Sequence, residues 1–140
     1  MKRVVVDASV GIKWFIPEVH EHDALKLIER NVELLAPDLI YAEIGNILWK
    51  KWRQGEIDAE DVLGLIHDFK AVNLNIHETG MLMEKAWEIA KRHNRSFYDS
   101  TYIALAVESE CQVATADIKL YNSLKNSQLR RHILWIEDIP

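Results

Sequence analysis

The sequence predicts a layered α/β fold around a mostly parallel sheet. Short β-branched or apolar runs alternate with segments of helical periodicity along the whole chain. Runs such as "RVVV" are apolar at every position after the first, as in strands covered on both faces. Two of the runs end in aspartate, Asp7 after "RVVV" and Asp117 after "VATA". In open α/β sheets the carboxyl ends of strands are where chemistry gathers.

The elements follow in order. "RVVVD" reads as the first strand. "ASVGIKWFIPE" reads as a helical turn with Ser9 as a capping candidate and Pro17 as its stop. "HDALKLIERN" has helical spacing through Ala24, Leu27 and Ile28, and "VELLAP" is a second short strand. "DLIYAEIGNILWKKWRQG" is a long helix, with Asp38 as a capping candidate and Gly55 as its close. "DAEDVLGLIHDFKAV" is another helix, and "VNLNIH" alternates like a strand. "TGMLMEKAWEIAKRHN" is helical, with Thr79 as cap and Asn94 as end, and "YDSTYIALAVESE" is helical again. "CQVATAD" is a strand and turn, "IKLYNSLKNS" a short helix and "HILWIED" a last strand.

The 140 residues suit one domain spanning 1–140, with no linker, repeat or low-complexity stretch. No apolar run is long enough to span a bilayer, and Asp7 interrupts any signal-like core, so the expectation is a soluble, cytoplasmic protein without membrane contact. A single cysteine, Cys111, rules out an internal disulfide and argues against a thiolate zinc site. His20 and His22 lie in the acidic stretch "PEVHEHDA" and read as a solvated helix end rather than a metal site. The net charge of −5 is awkward for a phosphate-binding protein unless several carboxylates gather around cations.

The placement of the acids allows such a gathering. Ile40, Ile44, Ile47 and Leu48 form the apolar stripe of the long helix, and Glu43 lies at its edge, with Asn46 one turn later on the same flank. Asp99 shares a helical face with Tyr102, Ile103 and Ala106, in a first turn where the helix dipole favours negative charge. Carboxylates within ~4–6 Å of one another repel, and some take up protons unless cations intervene. All-oxygen ligation suits Mg²⁺ or Mn²⁺. Such ions, paired about 3.5–4 Å apart, support phosphodiester hydrolysis. Each acid also has a plainer reading: Asp7 and Asp117 as helix caps, Asp99 as an N-terminal helix charge, Glu43 as a partner of Lys50.

At these residues the sequence resembles the PIN-domain family, and within it the VapC-type toxins of type II toxin–antitoxin modules. "VVVDASVGIKWFIPE", "PDLIYAEIGNILWK", "FYDSTYIALA" and "VATADIKL" match the family's four motifs in order, over nearly the whole chain. Serine stands at position 100 where the family commonly has alanine. The resemblance implies a three-layer α/β/α sandwich and an Mg²⁺-dependent endoribonuclease, with Mn²⁺ as the alternative and one or two ions per site. Asp7, Glu43, Asp99 and Asp117 would be its catalytic and metal-binding acids, with Ser9, Asn46 and Thr115 in supporting roles around them. It implies hydrolysis of RNA by a metal-activated water, leaving a 5′-phosphate and a 3′-hydroxyl. It further implies a homodimer and a cognate VapB-type antitoxin.

For RNA contact, the cations of "KRHNR" (Lys91, Arg92 and Arg95) are preferred because they directly precede Asp99, over Lys50, Lys51, Arg53, Arg130 and Arg131. A cationic helix end is the plain alternative. Trp14 is expected to pack rather than stack a base. Tyr41, Trp49 and Trp52 are expected in packing or in an antitoxin groove. Two rival functions stand beside the nuclease. One is a non-catalytic PIN-like scaffold that binds a partner. The other is an α/β phosphohydrolase with Asp7 as nucleophile, disfavoured by Ser9 where a D-x-D motif needs a second acid.

Overall fold

A computed structural model describes residues 1–140. Five strands form one sheet: β1 (Arg3–Val6), β2 (Glu33–Pro37), β3 (Leu74–His77), β4 (Gln112–Thr115) and β5 (Ile133–Trp135). Their order is β3-β2-β1-β4-β5, and every neighbouring pair is parallel. Seven α-helices connect and cover them: α1 (Ala8–Gly11), α2 (Glu21–Glu29), α3 (Leu39–Arg53), α4 (Ala59–Lys70), α5 (Met83–His93), α6 (Phe97–Glu108) and α7 (Ile118–Leu124).

Val4, Val5 and Val6 of β1 are fully buried, because the central strand is covered on both faces. Helix α6 packs across β1, β2 and β4, and α5 lies against α6. This explains why α6 is buried along "STYIALA" from Ser100 to Ala106 instead of along one stripe. The chain winds from β1 outward to β3, then returns to place β4 on the other side of β1. The order therefore reverses between β1 and β4, which is the topological switch point where open α/β sheets bind ligands. Register pairs Val6 with Ala114, so Asp7 and Thr115 emerge beside one another at the carboxyl end.

Three capping expectations are corrected. Asp7, not Ser9, caps α1, accepting from the Val10 N–H at 3.2 Å. Asp38 precedes α3 without capping it; its Oδ1 accepts instead from the Thr79 N–H at 3.0 Å and from the Thr79 hydroxyl. Thr79 therefore opens a 3₁₀ turn (Thr79–Leu82), and α5 begins only at Met83. The helix ends match expectation. Gly55 (φ +77°) and Asn94 (φ +51°) take the left-handed conformation that stops α3 and α5. No helix is long and apolar enough to cross a membrane.

Candidate active site

Asp7 is held by two hydrogen bonds. Its carboxylate Oδ1 accepts from the Val10 N–H and from the Ser9 hydroxyl. Ser9 in turn accepts from the Ala116 N–H at 2.9 Å, and its Oγ lies 3.5 Å from Thr115 Oγ1. Thr115 is fully buried and accepts from the Asp117 N–H at 3.0 Å. Ser9 and Thr115 thus tie the end of β1 to the end of β4 directly beneath the switch point. Asp7 is only 7% exposed. Burial pushes its carboxyl up to about 6 from 3.8, against the lowering by Ser9, Thr115 and Val10, and the charge of Asp99 raises it further.

Glu43 reaches the same region from α3. Its carboxyl is raised chiefly by burial and also by Asp99, and lowered by the Tyr102 hydroxyl. Its Oε1 is buried without a hydrogen-bond partner, and it forms no ion pair with Lys50. Tyr102 lies one turn beyond Asp99 on α6 and is 3% exposed, with its hydroxyl also unpartnered. Burial, then the charge of Glu43, pushes that phenol far up. The two groups are close enough to shift one another, yet neither closes a hydrogen bond. The hydroxyl of Tyr102 is the feature that sequence reasoning missed: the helical face pointed to a packing residue, and Tyr102 is one, but the phenol also addresses Glu43.

Asp99 sits in the first turn of α6, its N–H donating to the Ser96 cap at 3.0 Å. Its Oδ2 accepts from Arg95 Nη2 at 3.1 Å. Asp117 stands at the end of β4 and caps α7, its Oδ1 accepting from the Lys119 and Leu120 N–H groups at 3.0 and 3.3 Å. Asn46 is exposed and makes no side-chain hydrogen bond, so nothing ties it to the acids. Lys91 and Arg92 are drawn away too. They line a groove of about 390 Å³ with Lys85, Val107 and Leu129, none of them a candidate site residue. Of the "KRHNR" cations only Arg95 touches an acid. A different groove of about 370 Å³ adjoins the site, lined by Ser9, Lys13, Ile47, Lys50, Lys51 and Ala116 among others. Trp14 packs as expected, its Nε1–H donating to Ala24 O at 2.9 Å and its ring stacked on Phe69. His20 pairs with Asp23 and Glu137, which accounts for it without a metal.

A divalent cation suits the donor set. Asp7, Glu43 and Asp99 supply hard oxygen ligands, their charges oppose one another, and Glu43 Oε1 is an orphaned buried acceptor. No three acidic, histidine or cysteine side chains converge tightly enough to form a closed ligand cluster as they stand. Mg²⁺ is bound through few protein ligands and keeps several of its waters, so a closed cluster is not required.

The PIN domain family model matches residues 4–123, a segment that contains Asp7, Glu43, Asp99 and Asp117. The chain belongs to the PIN-domain family. Among named PIN-type relatives, Ribonuclease VapC3 of Pyrobaculum aerophilum is 30% identical over 122 residues, covering 84% of this chain and 92% of that protein. Ribonuclease VapC1 of Mycobacterium tuberculosis is 31% identical over 121 residues, covering 86% and 90%. The crystal structure of PAE2754 from Pyrobaculum aerophilum matches this PIN fold with a TM-score of 0.71 at 23% identity, covering 98% of this chain and 85% of that one. Mycobacterium tuberculosis VapC20, a Sarcin-Ricin loop cleaving toxin, matches with a TM-score of 0.63 at 18% identity, covering 83% and 92%.

Proposed function

We propose that this PIN domain is a VapC-type toxin endoribonuclease that hydrolyses RNA phosphodiester bonds at the Asp7–Glu43–Asp99 pocket with the help of divalent cations. The observation that carries the reading is the grouping of those three acids, with the charge of Asp99 raising both Asp7 and Glu43, at the β1/β4 switch point of a PIN fold. PIN-domain ribonucleases are generally dependent on divalent metal. Mg²⁺ is the proposed ion, Mn²⁺ its alternative, with one or two per site. Bound there, such an ion would activate water for attack on phosphorus and offset charge on the leaving oxygen.

The protein's own residues then have these roles. Ser9 and the Val10 N–H hold Asp7 by Oδ1, and its other oxygen would help hold the cation. Asp7 must lose its proton to bind one, so activity falls as pH drops through about 6. Asp99 supplies the second carboxylate from α6. Glu43 would complete the set, its charged form favoured by the neighbouring Tyr102 hydroxyl. Asp117 acts on the site through the β4–α7 turn that it caps, together with Thr115; Asn46 would face substrate at the rim. RNA would run along the groove of Lys13, Lys50 and Lys51, which adjoins Ser9 and which Glu18 also lines, while Lys91 and Arg92 line a separate groove. We assign residues 1–140 to one PIN unit, because Ile133, Ile136 and Ile139 beyond the matched segment join the same core. A cognate VapB-type antitoxin and a homodimer complete the proposal.

The test is cleavage of structured RNA with Mg²⁺, followed by sequencing of the cut ends. Asp7→Asn and Asp99→Asn should each lose activity by about a hundredfold or more with folding intact. Full activity in either variant sinks the assignment. One observation favours a non-catalytic partner-binding reading, namely that the acids do not close into a ligand cluster. Calorimetry showing no Mg²⁺ or Mn²⁺ binding at millimolar metal would support that reading instead.

A further inference from the structure

Arg95 holds a position that its neighbours in sequence do not. It follows Asn94, whose left-handed backbone ends α5, and precedes Ser96, whose side chain caps α6. A corner fixed on both sides therefore delivers the guanidinium to Asp99 Oδ2 at 3.1 Å. The pair is partly withdrawn from water, with side chains 23% and 28% exposed, so screening weakens it less than a surface pair. Only Nη2 is engaged with Asp99. Nε is buried and has no partner, which leaves a donor of the planar fork unused beside the acids.

We propose that Arg95 is a substrate-positioning residue of this site with two alternating acceptors. In the metal-free chain its guanidinium holds Asp99 and so competes with the divalent cation. Once the cation has taken Asp99, Arg95 turns its fork to an RNA phosphate oxygen. The inference rests on the ribonuclease reading above. Its physical ground is charge repulsion: a guanidinium 3.1 Å from Asp99 Oδ2 opposes a divalent ion bound to the same carboxylate. The freed guanidinium then offers its Nη2 edge, the one that held Asp99, to a phosphate oxygen.

Calorimetric titration of Mn²⁺ into the RNA-free chain tests the first part. Arg95→Gln should bind Mn²⁺ about threefold more tightly than the wild type, the scale of a part-screened ion pair. Arg95→Lys keeps the charge and should stay closer to the wild type, which also guards against a folding defect in the glutamine variant. Steady-state cleavage at saturating Mn²⁺ tests the second part. Arg95→Gln should raise KM for RNA about tenfold while kcat stays within about twofold. Unchanged or weaker Mn²⁺ binding in Arg95→Gln overturns the competition, and an unchanged KM overturns the phosphate contact. A wild type that neither binds Mn²⁺ nor cuts RNA overturns the functional reading itself. A wild type that does both, with Arg95→Gln indistinguishable from it, overturns only the role of Arg95.

Discussion

At Asp7, burial and ionisation oppose one another. The carboxyl titrates near 6 in the folded chain against 3.8 ordinarily, so the unfolded chain gives up this proton first as pH rises. Folding stability contributed by the group is therefore intact below about pH 4, falls between 4 and 6, and stays reduced above. The full shift corresponds to about 3 kcal/mol. Asp7→Asn keeps a hydrogen-bonding side chain without the charge. In EDTA at pH 7.5 it should melt at or above the wild-type temperature, with the gap closing near pH 4; a lower melting temperature at pH 7.5 would contradict this. Tyr102→Phe probes the neighbouring gap. The hydroxyl has no partner to lose, so melting should change little, while cleavage should fall about tenfold as Glu43 loses its support. Wild-type activity in that variant would leave Tyr102 as a packing residue only.

Helix starts are where the competing readings of the acids part. Asp117 caps α7 with two N–H bonds, so Asp117→Ala should cost about 1 kcal/mol of stability, whereas Asp117→Asn should retain most of it. Activity then separates the roles. If Asp117→Asn melts like the wild type but cleaves RNA poorly, the carboxylate serves the site as well as the helix; full activity restricts it to capping. At Asp7 the two readings are compatible, since it caps α1 and lies within electrostatic range of Asp99 at once. The plain and the functional readings of these positions were never exclusive, and the sequence alone could not say so.

Across the whole molecule, several large apolar side chains stand exposed. Met81, Met83 and Trp87 are 74%, 51% and 58% exposed, and Met83 and Trp87 are spaced to share one face of α5. This supports the proposed homodimer. Sedimentation of the wild type should show a dimer at micromolar concentration, and Trp87→Glu should shift it to monomer with the fold intact. Metal binding should also register globally. Millimolar Mg²⁺ or Mn²⁺ should raise the melting temperature of the wild type by mass action, and the shift should shrink in Asp99→Asn. An equal shift in both would place the cation elsewhere.

The sequence by itself determined the order of strands and helices, because burial on both faces writes unbroken apolar runs and helices write a 3.6-residue period. It also determined which acids stand at strand ends and on inward helix faces, since those positions follow from local spacing. Only the tertiary structure decided what each one meets. The switch between β1 and β4 sets Asp7 beside Thr115, and the packing of α6 on β1 brings Asp99 into the electrostatic range of Asp7. It also turned Tyr102 toward Glu43, gave Asp38 to Thr79, and separated Arg95 from Lys91 and Arg92. Those outcomes depend on contacts between residues far apart in the chain, or on the direction in which a helix corner turns. Neither is encoded in the spacing of any one segment.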